Sequence, residues 1–130
     1  MIVVDASAML EVLLRTAAAA AVERRLFDAR ETLHAPHLLD VEVAHVIRRY
    51  ASAGDPGAER GAAALADLAA FPLRRYPHAL LLPRVWELRN NLTAYDAVYV
   101  VLAELLGAPL LTRDRRLAAA TGHAATIELI

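Results

Sequence analysis

Cysteine and lysine are both missing from this chain of 130 residues. Without cysteine there can be no disulfide, thiolate zinc site or thiol nucleophile. That absence fits a reducing cytoplasm, which is the expected location. All 14 basic residues are arginine, and the formal net charge is −1, so no overall positive field draws in polyanions. Aromatic residues make up only 5% of the chain. Long apolar runs are also lacking. The hydrophobic fraction is 58%, yet no run reaches the ~18 residues of a membrane span. Arg24, Asp96 and Glu104 interrupt the longest candidates. Met1-Ile2-Val3-Val4-Asp5 carries no basic segment ahead of an apolar one, so neither an export signal nor a membrane association is expected.

What is present is enough for one domain, expected over residues 1–130. A chain of this size buries roughly two-thirds of its unfolded surface and needs no staples. Ile2-Val3-Val4 is a β-branched run that reads as a buried strand ending at Asp5. Helices are expected over Ala6–Leu14, Ala17–Arg30, His37–Ala53, Ala58–Phe71, His78–Arg89 (broken or kinked at Pro83), Thr93–Leu106 and Asp114–Ala120. Further strands are expected over Thr32–Ala35 (stopped by Pro36), Leu73–Tyr76, Ala108–Thr112 and Thr126–Leu129. Gly54-Asp55-Pro56-Gly57 is a turn signal, and Gly107 ends its helix. Strands alternating with helices predict an α/β fold with a parallel sheet between helices. In such sheets sites lie beyond the carboxyl ends of strands. Asp5 directly follows one strand, and Asp114 stands just past another.

Four acids occupy costly positions. Asp5 closes an apolar run. Glu42 shares a helix face with Leu38, Leu39 and Val46. Asp96 sits inside Thr93-Ala94-Tyr95-Asp96-Ala97-Val98-Tyr99-Val100, and Asp114 follows Leu110-Leu111-Thr112. Each has a plainer reading: Asp5 and Asp114 as helix N-caps, Asp96 as partner of Thr93 in a capping box, Glu42 as an acid reaching solvent. Asp40 fits the periodicity nearly as well as Glu42, with Val43 and Ala44 on its face. Gathered together, such carboxylates would raise one another's pKa values, and a divalent cation would offset that cost. Oxygen donors of this kind suit Mg²⁺ or Mn²⁺.

The ordered segments resemble the PIN-domain nucleases, and within them the VapC toxins of toxin–antitoxin pairs. Met1-Ile2-Val3-Val4-Asp5-Ala6-Ser7-Ala8 looks like the family's opening strand and first acid. Pro36 through Glu42-Val43-Ala44 to Arg48 looks like the helix of the second, which favours Glu42 over Asp40. The segment Thr93–Val100 looks like the third, and Leu111-Thr112-Arg113-Asp114-Arg115-Arg116-Leu117 like the fourth. The resemblance implies a PIN-like α/β/α sandwich with a mainly parallel sheet, a homodimer, and Mg²⁺- or Mn²⁺-dependent endoribonuclease activity leaving a 5′-phosphate. It implies a VapB-like antitoxin as partner and tRNA or rRNA as substrate. Asp5, Glu42 and Asp96 would hold one ion, and Asp114 would complete that site or share a second ion with Asp5. Ser7 and Thr112 would support the site through their hydroxyls.

Arg113, Arg115 and Arg116 flank Asp114 and are candidates for phosphate contacts, with a solvated turn as the alternative. With so few aromatics, specificity is expected to come from RNA shape or a short single-stranded loop. None of the five histidines is needed as a base, and His34 and His37 read as structural. A haloacid-dehalogenase-type phosphatase would need a second Asp where Ser7 stands, and a lysine; a receiver domain also needs lysine. Two alternatives survive: an RNA-processing PIN nuclease outside any toxin pair, and a non-catalytic interaction module that binds metal structurally.

Overall fold

Strand β1 (Ile2–Val4) is three residues long, and none of its side chains has any exposed surface. Successive strand residues point to opposite faces, so complete burial means that both faces of the sheet are covered there. The computed structural model describes residues 1–54 and 58–130. After β1 come α1 (Ala6–Leu13), α2 (Ala19–Leu26), β2 (Leu33–Pro36), α3 (Leu38–Ser52), α4 (Ala58–Ala70), β3 (Leu73–Tyr76), α5 (Leu82–Glu87), α6 (Ala94–Leu106), β4 (Leu110–Thr112), α7 (Arg115–Ala118) and β5 (Ile127–Leu129).

The strands form one sheet in the order β3-β2-β1-β4-β5. Every pairing is parallel, rather than mainly so, with Val3 opposite both His34 of β2 and Leu110 of β4. The chain steps outward from β1 through β2 to β3. It then returns to the other side of β1 for β4 and β5. The strand order therefore reverses between β1 and β4, and the carboxyl ends of these two strands flank the switch point.

Helix α6 lies against β1, β2 and β4. Seven successive residues, Ala97 to Ala103, are buried, as befits a helix apolar on all sides. Thr93 caps its start, accepting from the Asp96 amide at 3.2 Å. Gly107 ends it in the left-handed conformation (φ +58°), where a side chain would be strained. Among the described residues no helix is long and apolar enough to cross a membrane.

Several boundaries differ from the sequence-based expectation. The helix expected over Ala17–Arg30 covers only Ala19–Leu26; beyond it Asp28 turns its side chain onto the Arg30 amide and guanidinium. Such local bonds compete with helix. The helix expected over His78–Arg89 is confined to Leu82–Glu87, where Pro83 lies in the first turn and starts the helix instead of kinking it. A first-turn amide has no intrahelical partner to lose. Pro36 does not stop β2 but is its last residue, paired with Tyr76; its missing N–H is tolerated because His37 makes the next bond, to the Tyr76 carbonyl at 2.9 Å. The turn expected over Gly54–Gly57 lies, from Asp55 onward, outside the described residues.

Candidate active site

Asp5 leaves β1 and becomes the N-cap of α1. Its Oδ1 accepts from the Ala8 amide at 2.9 Å and from the Ser7 hydroxyl at 2.7 Å. Its Oδ2 accepts from the Thr112 hydroxyl, at the end of β4. A hydroxyl has one proton to give, so Ser7 and Thr112 each commit theirs to Asp5. Both then act as acceptors, Ser7 from the Arg113 amide at 2.8 Å and Thr112 from the Asp114 amide at 2.9 Å. These bonds tie the carboxyl end of β1 to that of β4. The side chain that caps α1 is the same one that the two hydroxyls hold.

Asp114 caps α7, its Oδ1 accepting from the Arg116 amide at 2.8 Å and the Leu117 amide at 3.4 Å. Asp96 stands in the first turn of α6. Glu42 stands on α3 and accepts from the Tyr99 hydroxyl at 2.5 Å. Asp40, two residues before Glu42, turns elsewhere. The Arg75 guanidinium holds it with two bonds, of 2.7 and 3.0 Å.

Asp5, Glu42, Asp96 and Asp114 line one cleft of about 540 Å³, with Ser7, His45, Tyr95 and Tyr99 beside them and apolar walls from α1 and α3. No arginine is among its lining residues. Burial pushes the carboxyl pKa values of Asp5, Glu42 and Asp96 up. Like charges add to this: Asp114 raises Asp5 and Asp96, while Asp96 and Asp5 raise Glu42. Hydrogen bonds from Thr112, Ala8 and Ser7 oppose the rise at Asp5, and the Tyr99 bond opposes it at Glu42. Arg116 lies near enough to Asp96 to oppose its rise slightly.

Among the described residues, no three acidic or histidine side chains already form a metal-holding group. Asp5, Glu42 and Asp114 are each steadied by hydroxyl or amide donors. The donor set, four carboxylates with hydroxyls behind them, has the chemistry that hard divalent cations prefer.

The flanking arginines divide. Arg113 bonds Glu11 at 3.2 Å and the Ile130 carbonyl, away from the acids. Arg115 and Arg116 are exposed. His34 bridges Thr32 and Tyr76 inside the sheet, with both bonds at 2.8 Å, as its structural reading required. The sequence reading did not single out Tyr99 or His45. Each lies three residues beyond one of the acids, Asp96 and Glu42, and that spacing is the signal that could have found them.

Fold and cleft together define an α/β protein whose site is a cluster of carboxylates at the switch point of a parallel sheet. The PIN domain family profile matches residues 2–122. Ribonuclease VapC1 of Mycobacterium tuberculosis is 45% identical over 130 residues, covering 98% of this chain and 96% of that protein. The crystal structure of VapC20 from Mycobacterium tuberculosis, described as a sarcin–ricin loop cleaving toxin, superposes with a TM-score of 0.71 at 18% identity, over 95% of this chain and 97% of that one. VapBC2 from Rickettsia felis, crystallised with a promoter DNA fragment, gives 0.72 at 14% identity, over 99% and 98%. At such identities the two structures speak for the fold alone. The chain belongs to the PIN-domain family and is VapC-like.

Proposed function

We propose that this protein is a metal-dependent endoribonuclease, the toxin of a toxin–antitoxin pair. One observation carries the reading: four carboxylates from four separate segments meet in one cleft with no arginine lining it, where burial and neighbouring carboxylates hold the pKa values of Asp5, Glu42 and Asp96 up. Such a cluster calls for cationic charge. Asp5, Glu42 and Asp96 would hold Mg²⁺ or Mn²⁺, with Asp114 completing the set or sharing a second ion. When bound, the ion supplies Lewis acidity at a phosphodiester and eases deprotonation of water.

The chain's own residues do the rest. Ser7 and Thr112 fix both oxygens of Asp5. Asp114 is steadied by the start of α7, and Glu42 by Tyr99. The apolar walls limit water and strengthen every electrostatic interaction inside. Hydrolysis adds water across the P–O3′ bond, so the products are a 5′-phosphate and a 3′-hydroxyl. Arg116 and Arg115, exposed beside Asp114, are placed to meet backbone phosphates.

The partner is a VapB-like antitoxin and the substrate a structured tRNA or rRNA. In support of the first, relatives at 45% identity carry the VapC name. In support of the second, those relatives carry the name ribonuclease. The protein works in the cytoplasm as a homodimer. Leu80 and Trp86, exposed at 83% and 68%, offer apolar surface for that contact.

The test is cleavage of total RNA by purified protein. EDTA should silence it and Mg²⁺ or Mn²⁺ restore it. Asp96→Asn should abolish cleavage with the circular dichroism spectrum unchanged. Full cleavage in EDTA, or by the variant, would rule this mechanism out. RNA ends mapped with and without co-expression of the neighbouring gene identify the substrate and the antitoxin.

A further inference from the structure

Tyr99 is the largest side chain in the protein with almost no exposed surface, at 2%. A phenylalanine would fill the same space with no polar group to bury. Burying a hydroxyl costs free energy unless it is bonded. Among the described residues the Tyr99 hydroxyl has one recorded partner, Glu42 Oε2 at 2.5 Å, and the Glu42 carboxylate has no other. The bond joins α6 to α3 across 57 positions of sequence.

The four acids are not held alike. Asp5 and Asp114 are short and bonded by backbone amides. Asp96 is short and set in the first turn of α6. Glu42 is the long one, with an extra rotatable bond and no backbone donor, so it has the most freedom to lose. Tyr99 lies one turn beyond Asp96, on the same face of α6, and both line the cleft. Helix α6 thus presents one carboxylate itself and holds a second through Tyr99.

We infer that Tyr99 is a positioning residue for Glu42. Its hydroxyl takes one acceptor position on Oε2, holds the side chain in one rotamer and leaves Oε1 free for a cation. This rests on the acid cluster binding a divalent ion, as proposed above. Outer-shell partners of metal ligands act in this way, and losing one costs roughly 10–100-fold in metal affinity or activity.

Tyr99→Phe is the test, because it keeps the ring and the packing. Mn²⁺ binding by calorimetry should weaken roughly tenfold or more, with cleavage recovering as Mn²⁺ is raised. In a Glu42→Ala background the same change should weaken binding no further. Undiminished Mn²⁺ affinity in Tyr99→Phe, or an equal loss in both backgrounds, would overturn the inference. A crystal structure of metal-free Tyr99→Phe gives a readout independent of the ion: the Glu42 carboxylate should move or lose order. If it keeps its place, the tether is wrong. If wild-type protein takes up no Mn²⁺, the nuclease reading falls, and that crystal still decides the tether.

Discussion

Acids inside the cleft and acids outside it live by opposite rules. Outside, arginine answers several of them: Arg84 holds Glu104, Arg25 holds Glu31 and Glu128, Arg30 holds Asp28, and Arg75 holds Asp40. Arg30 pulls the Asp28 pKa down to about 2, the amino terminus and then Arg25 pull Glu31 down, and Arg84 pulls Glu104 down. Inside, Asp5, Glu42 and Asp96 are pushed up by burial and by one another. Arginine is plentiful and pairs acids elsewhere, so the bare cluster is a property of the site and not of the composition. Stability is given up there, as is common where function needs an uncomfortable arrangement.

The largest way to break the contrast is to neutralise the cleft. A carboxyl with a raised pKa binds its proton more tightly in the folded state than in the unfolded one. Its penalty is absent below the ordinary values, 3.8 for Asp5 and Asp96 and 4.5 for Glu42, grows as pH rises from them to the shifted ones, and is complete above. Asp28, Glu31 and Glu104 run the other way, so their contribution fades only when pH falls toward their lowered values. Metal-free protein should therefore melt higher on the acid side of neutrality than at pH 8. Mg²⁺ should move the maximum toward neutral pH. Asp5→Asn should raise the metal-free melting temperature at pH 7.5 and cancel the Mg²⁺ effect. Thermal scans between pH 4.5 and 8 check this, and superimposable profiles with and without Mg²⁺ would erase the distinction between the two regions.

A smaller effect is expected outside. Arg75 bonds both oxygens of Asp40 and also the Leu68 carbonyl at 2.9 Å. Arg75→Met would return the partly exposed Asp40 to water and strip that carbonyl of a donor. Exposed pairs contribute little, so the loss should be about 1 kcal/mol, or about 3–5 °C in melting temperature. RNA cleavage should not change. A drop in cleavage larger than the drop in folded fraction would mean that Asp40 and the cleft are coupled.

The pair Asp40 and Glu42 also marks how far sequence reasoning reaches. The strand before Asp5, the cap and stop of α6, and the cost of placing Asp96 and Asp114 are local features, legible from neighbours a few residues away. Choosing Glu42 over Asp40 needed partners 35 and 57 residues distant, Arg75 and Tyr99, which no helical period reveals; there the family resemblance pointed to Glu42. Local competition misled in other places. Asp28 ended α2 early through its own hydrogen bonds, and Pro83 opened a helix it was expected to kink. The acids at strand ends were also not a choice between cap and site. Asp5 caps α1 and lines the cleft at once, because the amide that satisfies the cap also orients the carboxylate.

The smallest expected effect sharpens the boundary between the two regions. Arg116 sits on it, exposed and unpaired by any ion pair recorded among the described residues, yet near enough to Asp96 to oppose the rise in its pKa. If it meets phosphate, Arg116→Ala should weaken RNA binding by catalytically dead Asp96→Asn protein about equally for all sequences. The slope of log affinity against log salt should fall by about 0.7 for a single-stranded probe, the release of one counterion. Arg113→Ala should leave that slope alone, since its guanidinium already bonds Glu11 and the Ile130 carbonyl. Fluorescence anisotropy from 50 to 300 mM salt distinguishes the two. An unchanged slope for Arg116→Ala would return Arg116 to the solvated surface, and a changed slope for Arg113→Ala would mean that RNA draws this arginine off its partners.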